Sequence, residues 1–300
     1  MHPMRHPRGM AVTAIRLRQQ LKAQARKPVP KVVAPVPEII LPLVVPTCIT
    51  QPIPDLSLGI ITADRQDDML ISTIRSIRAT GFTQPIHVFS QAIRQKLSRL
   101  NSIDNNLVCT HTVTAAGCYY NWNSAARRLL KLQTKWVMIM QDDIVWCKQG
   151  ANVLYKTLND IDAGISPIKR EELGLLSPYT SPAMLADTTK GWVEARYYGH
   201  IKGLWGALAL CFTHESLKAT VNNKRFLGHN CPRALDYIIG DSLRFHMQPP
   251  LAVKVHVPSL VDHTGDKSTI YSAHAVSAPG LNRLRHGYEF NMNYEVPGGQ

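Results

Sequence analysis

The chain of 300 residues lacks features that define several protein classes. It contains no run of about 20 apolar residues, which a membrane-spanning helix needs, and no apolar stretch placed as in a secretory signal. Its six cysteines include no Cys-x-x-Cys pair. This spacing argues against a zinc site or a disulfide framework and favours reduced, mostly buried thiols in an intracellular protein. No internal repeat is visible, which argues against a solenoid.

Acidic residues are nearly absent from residues 1–54, where Glu38 stands against eight basic side chains. Half of the 20 prolines fall in the same stretch, which favours an extended chain. We interpret residues 1–54 as a basic, Pro-rich, partly disordered extension and residues 55–300 as the folded domain. Met10 to Arg26 could form a short basic amphipathic helix that touches nucleic acid or a membrane surface. A solvated tail and an organellar transit peptide are the alternatives.

What the rest of the chain contains is typical of a globular α/β protein. From Leu56 onward short apolar runs alternate with helical periodicity, which predicts a Rossmann-like mixed sheet, mainly parallel and flanked by helices. The predicted strands are 58–63, 86–89, 107–110, 136–140, 173–177, 205–212 and 251–257, and the predicted helices are 67–80, 92–100, 120–132, 151–161 and 232–245. Residues 178–202 are predicted to form a long loop, and residues 271–300 are predicted to be irregular.

Two adjacent carboxylates, Asp142 and Asp143, follow the strongest apolar run of the chain. In open α/β sheets, ligands bind beyond the carboxyl ends of the strands. Carboxylate oxygens together with phosphate oxygens are ligands that Mg²⁺ and Mn²⁺ prefer. The pattern therefore predicts a divalent-metal and diphosphate site, with an ordinary acidic loop as the alternative.

The order of motifs resembles the metal-dependent glycosyltransferases of the GT-A fold, which use nucleotide-sugar donors. The matching residues are Ser57-Leu-Gly-Ile-Ile-Thr-Ala-Asp-Arg, a following helix, and Gln141-Asp-Asp-Ile. The resemblance implies a GT-A-like fold over about residues 56–270, with Mn²⁺ or Mg²⁺ as cofactor. It implies donor contacts by Thr62, Ala63, Arg65 and Asp142, and a metal bond to Asp143. Gln141 departs from the family's acidic-x-Asp pattern, which leaves Asp142 and Asp143 to supply the carboxylates.

A second segment, His256-Val-Pro-Ser-Leu-Val-Asp-His-Thr-Gly-Asp-Lys-Ser, resembles the Pro-Ser-Leu-x-x-His-x-Gly-x-x-Ser segment of the N-acetylglucosaminyltransferase IV group. By this likeness His263 becomes the remote metal ligand, and imidazole is a reasonable ligand for Mn²⁺. Gly265 would let the backbone approach the diphosphate, and Lys267 and Ser268 would contact its oxygens.

Two more segments match the sugar and acceptor side of such enzymes. In Gly203-Leu-Trp-Gly, Trp205 offers a stacking face for the donor sugar and Gly206 allows close backbone approach. Asp236, at the start of a predicted helix, is the expected catalytic base, and Asp241 is the reserve. A base that takes the acceptor proton opposite the departing nucleotide favours inversion of the anomeric configuration.

The sequence does not identify the acceptor of the transferred sugar. A net charge of +13 and a pI of about 9.6 suit a cytoplasmic enzyme acting on double-stranded DNA, because clustered cations release counterions from phosphates. Glycosylation of a hydroxymethylated pyrimidine, as phage enzymes perform in the host cytoplasm, fits this charge. Basic segments equally serve enzymes that build surface or lipid-linked glycans on anionic membranes, without integral membrane association. The sequence is also compatible with a nucleotidyltransferase or with an inactive transferase-like binding module.

Overall fold

The computed structural model describes residues 47–63, 69–91, 100–111, 117–184, 189–195, 204, 206–227, 235–264 and 286–294. The strands are β1 (Leu56–Thr62), β2 (Ile86–Ser90), β3 (Leu107–His111), β4 (Trp136–Gln141), β5 (Ile144–Trp146), β6 (Leu173–Ser177), β7 (Gly191–Glu194), β8 (Ala209–Thr213), β9 (Ala252–Val257) and β10 (Val261–His263). The helices are α1 (Met69–Ala79), α2 (Cys118–Leu129), α3 (Gly150–Asp162), α4 (His214–Asn222), α5 (Lys224–Leu227) and α6 (Leu235–Phe245).

Eight strands form one mixed sheet in the order β3-β2-β1-β4-β8-β6-β9-β7, and β5 pairs with β10 in a separate ribbon. Strands β1 to β4 are mutually parallel. Strand β8 runs antiparallel to both β4 and β6, and β9 is parallel to β6. Six of the eight strands therefore point the same way, which confirms the predicted mixed, mainly parallel sheet. The carboxyl ends of these six strands share one edge, which we call the upper edge.

Helices cover both faces of the sheet, as crossovers between parallel strands require. On one face, Phe82 just after α1 makes edge-to-face contacts with Trp146 at 5.1 Å and with Tyr155 of α3 at 5.4 Å. On the other face, Trp122 of α2 packs on Phe212 of β8 at 5.9 Å, and α4 lies against α2 and α6. No helix in the described part of the chain is long and apolar enough to cross a membrane.

The structure corrects the predicted secondary structure at several places, while residues 286–294 contain no helix or strand, as predicted. Residues 214–222 form α4, which was not predicted, and β7 lies inside the predicted loop 178–202. The predicted strand 205–212 begins only at Ala209. Residues 286–294 turn back onto the fold, where the Ser259 N–H donates to Tyr288 O at 2.8 Å.

Residues 47–54, which were predicted to belong to the extension, contact the α/β unit. The Thr47 N–H donates to Ala79 O at 2.9 Å. The Asn152 amide group of α3 accepts the Thr50 N–H at 3.1 Å and donates to Cys48 O at 3.1 Å. The contacts of the folded unit thus begin ahead of residue 55, whereas residues 1–46 lie outside the described residues.

The cysteines are less uniformly buried than the sequence predicted. Cys147 and Cys211 are buried, and burial raises the pKa of the Cys147 thiol to about 12. Cys48 and Cys109 are exposed, and Cys231 lies outside the described residues. The prediction of mostly buried thiols is therefore wrong for Cys48 and Cys109.

A buried histidine in β9 makes the stability of the fold depend on pH. His256 is 4% exposed, packs edge-to-face on Trp192 at 5.1 Å, and places Nδ1 at 2.7 Å from Pro258 O. Burial lowers the pKa of His256 to about 4, although the hydrogen bond to Pro258 acts in the opposite direction.

We expect the free energy of unfolding to fall by roughly 2 kcal/mol when the pH is lowered from about 7.5 to about 5, because of His256. Between the lowered pKa and its usual value the unfolded chain binds a proton that the folded chain does not, so stability falls as the pH falls. Urea melts at both pH values should show this loss in the wild type and a smaller loss in His256→Gln. An equal loss in both proteins would contradict the assignment.

Candidate functional site

The turn after β4 carries Asp142 and Asp143, and a buried threonine of α1 binds its backbone. Thr73 Oγ1 lies 2.9 Å from the carbonyl oxygens of both Asp142 and Ile144. The same hydroxyl oxygen accepts the Ile144 N–H at 3.1 Å. These bonds hold the backbone of the acidic pair in one conformation at the upper edge of the sheet.

Asp142 binds across the sheet to the end of β1. Its Oδ2 accepts the Thr62 hydroxyl, and both residues are buried. Ile61 pairs with Gln141 in the sheet, so the next residues of the two strands, Thr62 and Asp142, lie side by side at the upper edge. The structure thus brings together Thr62 and Asp142, two of the predicted donor-binding residues. Ala63 follows on the surface.

Asn121 of α2 holds the ends of β1 and β2 together. Its Nδ2 donates to Thr62 O at 3.1 Å and to Phe89 O at 3.2 Å. Its Oδ1 is buried and finds no hydrogen-bond partner among the described residues. This residue was not predicted, because a single asparagine on an amphipathic helix carries no distinguishing pattern.

Asp143 and His263 meet although they are far apart in sequence. The β5–β10 pairing places His263 opposite Ile144, and the Thr264 N–H donates to Asp143 O at 2.9 Å. His263 Nε2 then lies 3.2 Å from Asp143 Oδ2, with the side chains 9% and 5% exposed. The two predicted metal ligands therefore face each other in a nearly buried position.

The returning segment 286–294 supports the strand that carries His263. The Gly287 N–H donates to Asp262 Oδ1 at 2.7 Å, and the Tyr288 N–H donates to Thr180 O at 2.7 Å. The Ser259 hydroxyl oxygen accepts the Thr180 N–H at 3.0 Å. These last residues were predicted to be irregular, and their role in positioning His263 follows only from the tertiary contacts.

Asp236 lies at the start of α6 and binds the segment that leads into β8. Its Oδ2 accepts the Gly206 N–H at 2.5 Å, and its Oδ1 accepts the Tyr237 N–H at 2.9 Å. Burial raises the pKa of the Asp236 carboxyl, while these two hydrogen bonds work against the rise. A carboxylate whose pKa is raised is a better base than an exposed one.

Gly206 needs to be glycine at this point. Its φ is +85°, and a Cβ would lie 2.9 Å from Cε1 of Tyr179, which follows β6. The Gln141 N–H donates to Leu208 O at 2.8 Å, so the chain reaches Gly206 just beyond the end of β4. Gly206 and Asp236 therefore belong to the same edge of the sheet as Asp142 and Asp143.

Asp241, the reserve base, has different surroundings. It follows Asp236 by five residues on α6, which turns its side chain by about 140° around the helix. Its Oδ2 lies 3.0 Å from Arg225 Nε and 3.5 Å from His246 Nε2. This ion pair between α5 and α6 gives Asp241 a structural role, and Asp236 is the stronger candidate for the base.

Five of the residues predicted to lie at the donor cannot be placed. They are Arg65, Trp205, Gly265, Lys267 and Ser268, which lie outside the described residues. Their assignment stays a prediction.

The two facing side chains fit a divalent cation in their chemistry. A carboxylate oxygen and an imidazole nitrogen are donors that Mn²⁺ accepts, and diphosphate oxygens and water would complete its ligands. Within the described ranges no three His, Cys, Asp or Glu side chains cluster as a complete metal site. Among the described residues, one carboxylate and one imidazole would therefore be available to a cation at this place.

No family model and no curated protein sequence matches the chain. Among solved structures, GalNAc-T7, crystallised with UDP, GalNAc and Mn²⁺, overlays with a TM-score of 0.50 at 9% identity, over 73% of this chain. The fold is that of the GT-A glycosyltransferases. The overlay spans 44% of the GalNAc-T7 chain. TarS residues 1–349 of S. aureus overlay more loosely, with a TM-score of 0.43 at 15% identity over 67% of this chain and 58% of TarS.

The upper edge of this GT-A sheet brings three polar features together. The Thr62–Asp142 pair lies at the end of the first strand, the Asp143–His263 pair lies beside it, and a carboxylate with a raised pKa lies at the start of α6. Such an arrangement can bind a nucleoside diphosphate, compensate its charge and remove a proton from an attacking hydroxyl group.

Proposed function

We propose that the protein is a metal-dependent glycosyltransferase that moves a sugar from a nucleotide-sugar donor to a hydroxyl group. The observation that carries the proposal is the contact of Asp143 with His263 at 3.2 Å, at the carboxyl edge of a GT-A sheet. Carboxylate oxygen and imidazole nitrogen are ligands that Mn²⁺ accepts, and ligands bind at this edge of open α/β sheets.

The donor site follows from the residues around β1 and β4. Thr62 and Asp142 would bind the nucleoside, with Ala63 and Arg65 beside them. A divalent cation held by Asp143 and His263 would compensate the charge that develops on the departing diphosphate. Gly206 has no side chain, so the donor sugar could approach the backbone there, next to Trp205. Lys267 and Ser268 would bind phosphate oxygens.

Asp236 would act as the catalytic base. The acceptor oxygen attacks the anomeric carbon, the bond from this carbon to the diphosphate oxygen breaks, and the acceptor proton moves to Asp236. The nucleoside diphosphate leaves with the bonding electrons. Attack opposite the leaving group inverts the anomeric configuration, which nuclear magnetic resonance of the product would reveal.

For the acceptor we propose a hydroxymethylated pyrimidine in DNA, which places the enzyme in the cytoplasm. The net charge of +13 supports a polyanionic substrate. The second candidate is a surface glycan or a lipid-linked acceptor. The basic composition would suit this acceptor as well as DNA, because an anionic membrane also attracts basic residues.

Donor binding can be tested by thermal unfolding of the full-length chain with each common nucleotide sugar, with and without Mn²⁺. A ligand at about 100 times its Kd stabilises the folded state by about 2.7 kcal/mol. We expect one donor to raise the melting temperature only when Mn²⁺ is present. If no nucleotide sugar shifts the transition, or if chelator leaves the shift unchanged, the proposal is wrong.

A further inference from the structure

One face of the molecule carries positive charge with almost no acidic residue. Residues 105–141 and residues 216–235 contain no Asp or Glu. The structure places the helices of these two stretches side by side, since Arg127 Nη2 donates to Val221 O at 2.6 Å and Tyr119 Oη donates to Phe226 O at 2.8 Å. We call the exposed surface of α2, of the helical turn Leu130–Leu132 that follows it, of α4 and of α5 the basic track.

The cations of the basic track point to solvent. Its exposed basic residues are Arg127, Arg128, Lys131, Lys218, Lys224 and Arg225. Arg127 and Arg225 also make structural contacts, to Val221 and Asp241. The only acidic residue of α4 is Glu215, which binds Arg170 at 3.2 Å. The surface of these helices therefore carries more cations than anions, which favours a local positive potential.

The track leads to the candidate active site. Asn121 binds the carbonyl groups at the ends of β1 and β2, so α2 begins at the upper edge and runs away from it. Tyr119, in the first turn of α2, donates a hydrogen bond to Phe226 O of α5. Helix α5, which ends at Leu227, therefore also ends at the upper edge. Two large side chains are exposed there: Tyr120 at 57% and Leu227 at 52%.

We infer that the basic track binds the phosphate backbone of DNA and guides this acceptor towards Asp236. The inference rests on the proposed transfer function and adds the surface on which the acceptor lies. The 12 residues of α2 extend over about 18 Å, enough for about five nucleotides at 3.4 Å per step of one strand. The two cations of α2, Arg127 and Arg128, lie in its last turn, whereas Lys224 and Arg225 lie on α5, which ends at the upper edge. Cations near both ends of this length suit a polymer, and exposed Tyr120 at the upper end suits stacking on an unpaired base.

The test compares two full-length variants of equal net charge. The track variant carries Arg128→Gln, Lys131→Gln, Lys218→Gln and Lys224→Gln, at exposed positions away from the candidate site. The control variant carries Arg75→Gln, Lys156→Gln, Lys169→Gln and Lys190→Gln, at exposed positions outside the basic track. Binding of a fluorescent DNA duplex is measured over a range of salt concentrations, and donor hydrolysis is measured in parallel without DNA.

We expect the track variant to bind duplex DNA at least about tenfold more weakly at low salt. The slope of log affinity against log salt should flatten by up to about 3.6, because each of the four cations neutralises one phosphate and contributes about 0.9 to the slope. The control variant should keep the larger part of both the affinity and the slope.

Equal salt slopes in the two variants would overturn the inference, as would a wild-type protein that does not bind DNA at low salt. A track variant that binds phosphatidylserine vesicles less well but keeps its DNA binding would overturn it too. Normal donor hydrolysis in these cases would leave the proposed transferase function standing, whereas absent hydrolysis in the wild type would count against that function.

Discussion

Replacing Asp143 with asparagine will abolish Mn²⁺-dependent binding of the nucleotide-sugar donor, and His263→Ala will do the same. Each variant removes one of the two proposed metal ligands, whose facing atoms lie 3.2 Å apart. The loss in Mn²⁺ affinity should exceed the roughly 10–100-fold that removal of an outer-shell partner costs. Titration of free Mn²⁺ by electron paramagnetic resonance, with the donor present, measures the effect.

The matched control is Asp160→Asn. Asp160 is an aspartate of α3 that pairs with Lys156 at 2.6 Å and has no contact with the site. It should leave Mn²⁺ and donor binding unchanged. Circular dichroism melts establish that the Asp143 and His263 variants are folded. Donor affinity that is unchanged in both site variants and insensitive to chelator would remove these residues from the metal site.

Asp236→Asn is expected to lower the rate of sugar transfer by about a hundredfold to ten-thousandfold. Donor affinity should stay nearly normal, because the base acts on the acceptor proton. The single amide oxygen of asparagine can keep the bond from the Gly206 N–H, while the Tyr237 N–H loses its side-chain acceptor. Steady-state rates with donor and acceptor, together with the donor Kd, separate these two effects. The decrease should therefore fall on kcat.

The control for this variant lies on the same helix. Asp241→Asn removes an ion pair with Arg225 at 3.0 Å, which at a partly exposed position is worth about 1 kcal/mol or less. Transfer should continue in this variant. If Asp241→Asn is inactive while Asp236→Asn turns over normally, the reserve carboxylate is the base and Asp236 only holds Gly206.

The raised pKa of Asp236 also predicts the pH profile. A base must be ionised, so kcat/KM should fall as the pH falls through this raised pKa. Because burial raises it, the decline should begin at a higher pH than for an exposed aspartate, whose pKa is about 3.9. In Asp236→Asn the residual activity should lack this acidic limb, while Asp241→Asn should keep it.

The sequence was sufficient to predict the sheet and the acidic turn. Local apolar runs define β1, β2 and β4, and the rule that ligands lie at carboxyl ends leads directly to Asp142 and Asp143. Helix α4 was not predicted, because its buried residues include Ser216 and Thr220 as well as Leu217 and Val221. The polar residues interrupt the helical spacing of apolar residues. A half-polar inner face gives no clear helical signal.

The remaining parts of the site depend on long-range pairing. His263 was predicted from a family resemblance, and its contact with Asp143 arises from the β5–β10 ribbon, which no local pattern encodes. Thr73 and Asn121 act through hydrogen bonds to backbone groups that are distant in the sequence. Such contacts become visible only when the tertiary structure brings the strands together.

The most direct test of a metal-dependent glycosyltransferase is the nucleotide product formed from the donor. The full-length protein is incubated in separate samples with the nucleotide sugar that it binds and with a nucleoside triphosphate plus a sugar phosphate. Phosphorus nuclear magnetic resonance follows each reaction with Mn²⁺ and with chelator. We predict slow release of nucleoside diphosphate, with free sugar as the second product, and only when Mn²⁺ is present. Release of pyrophosphate from a nucleoside triphosphate instead, with the nucleotide sugar left intact, would identify a nucleotidyltransferase and contradict the proposed function.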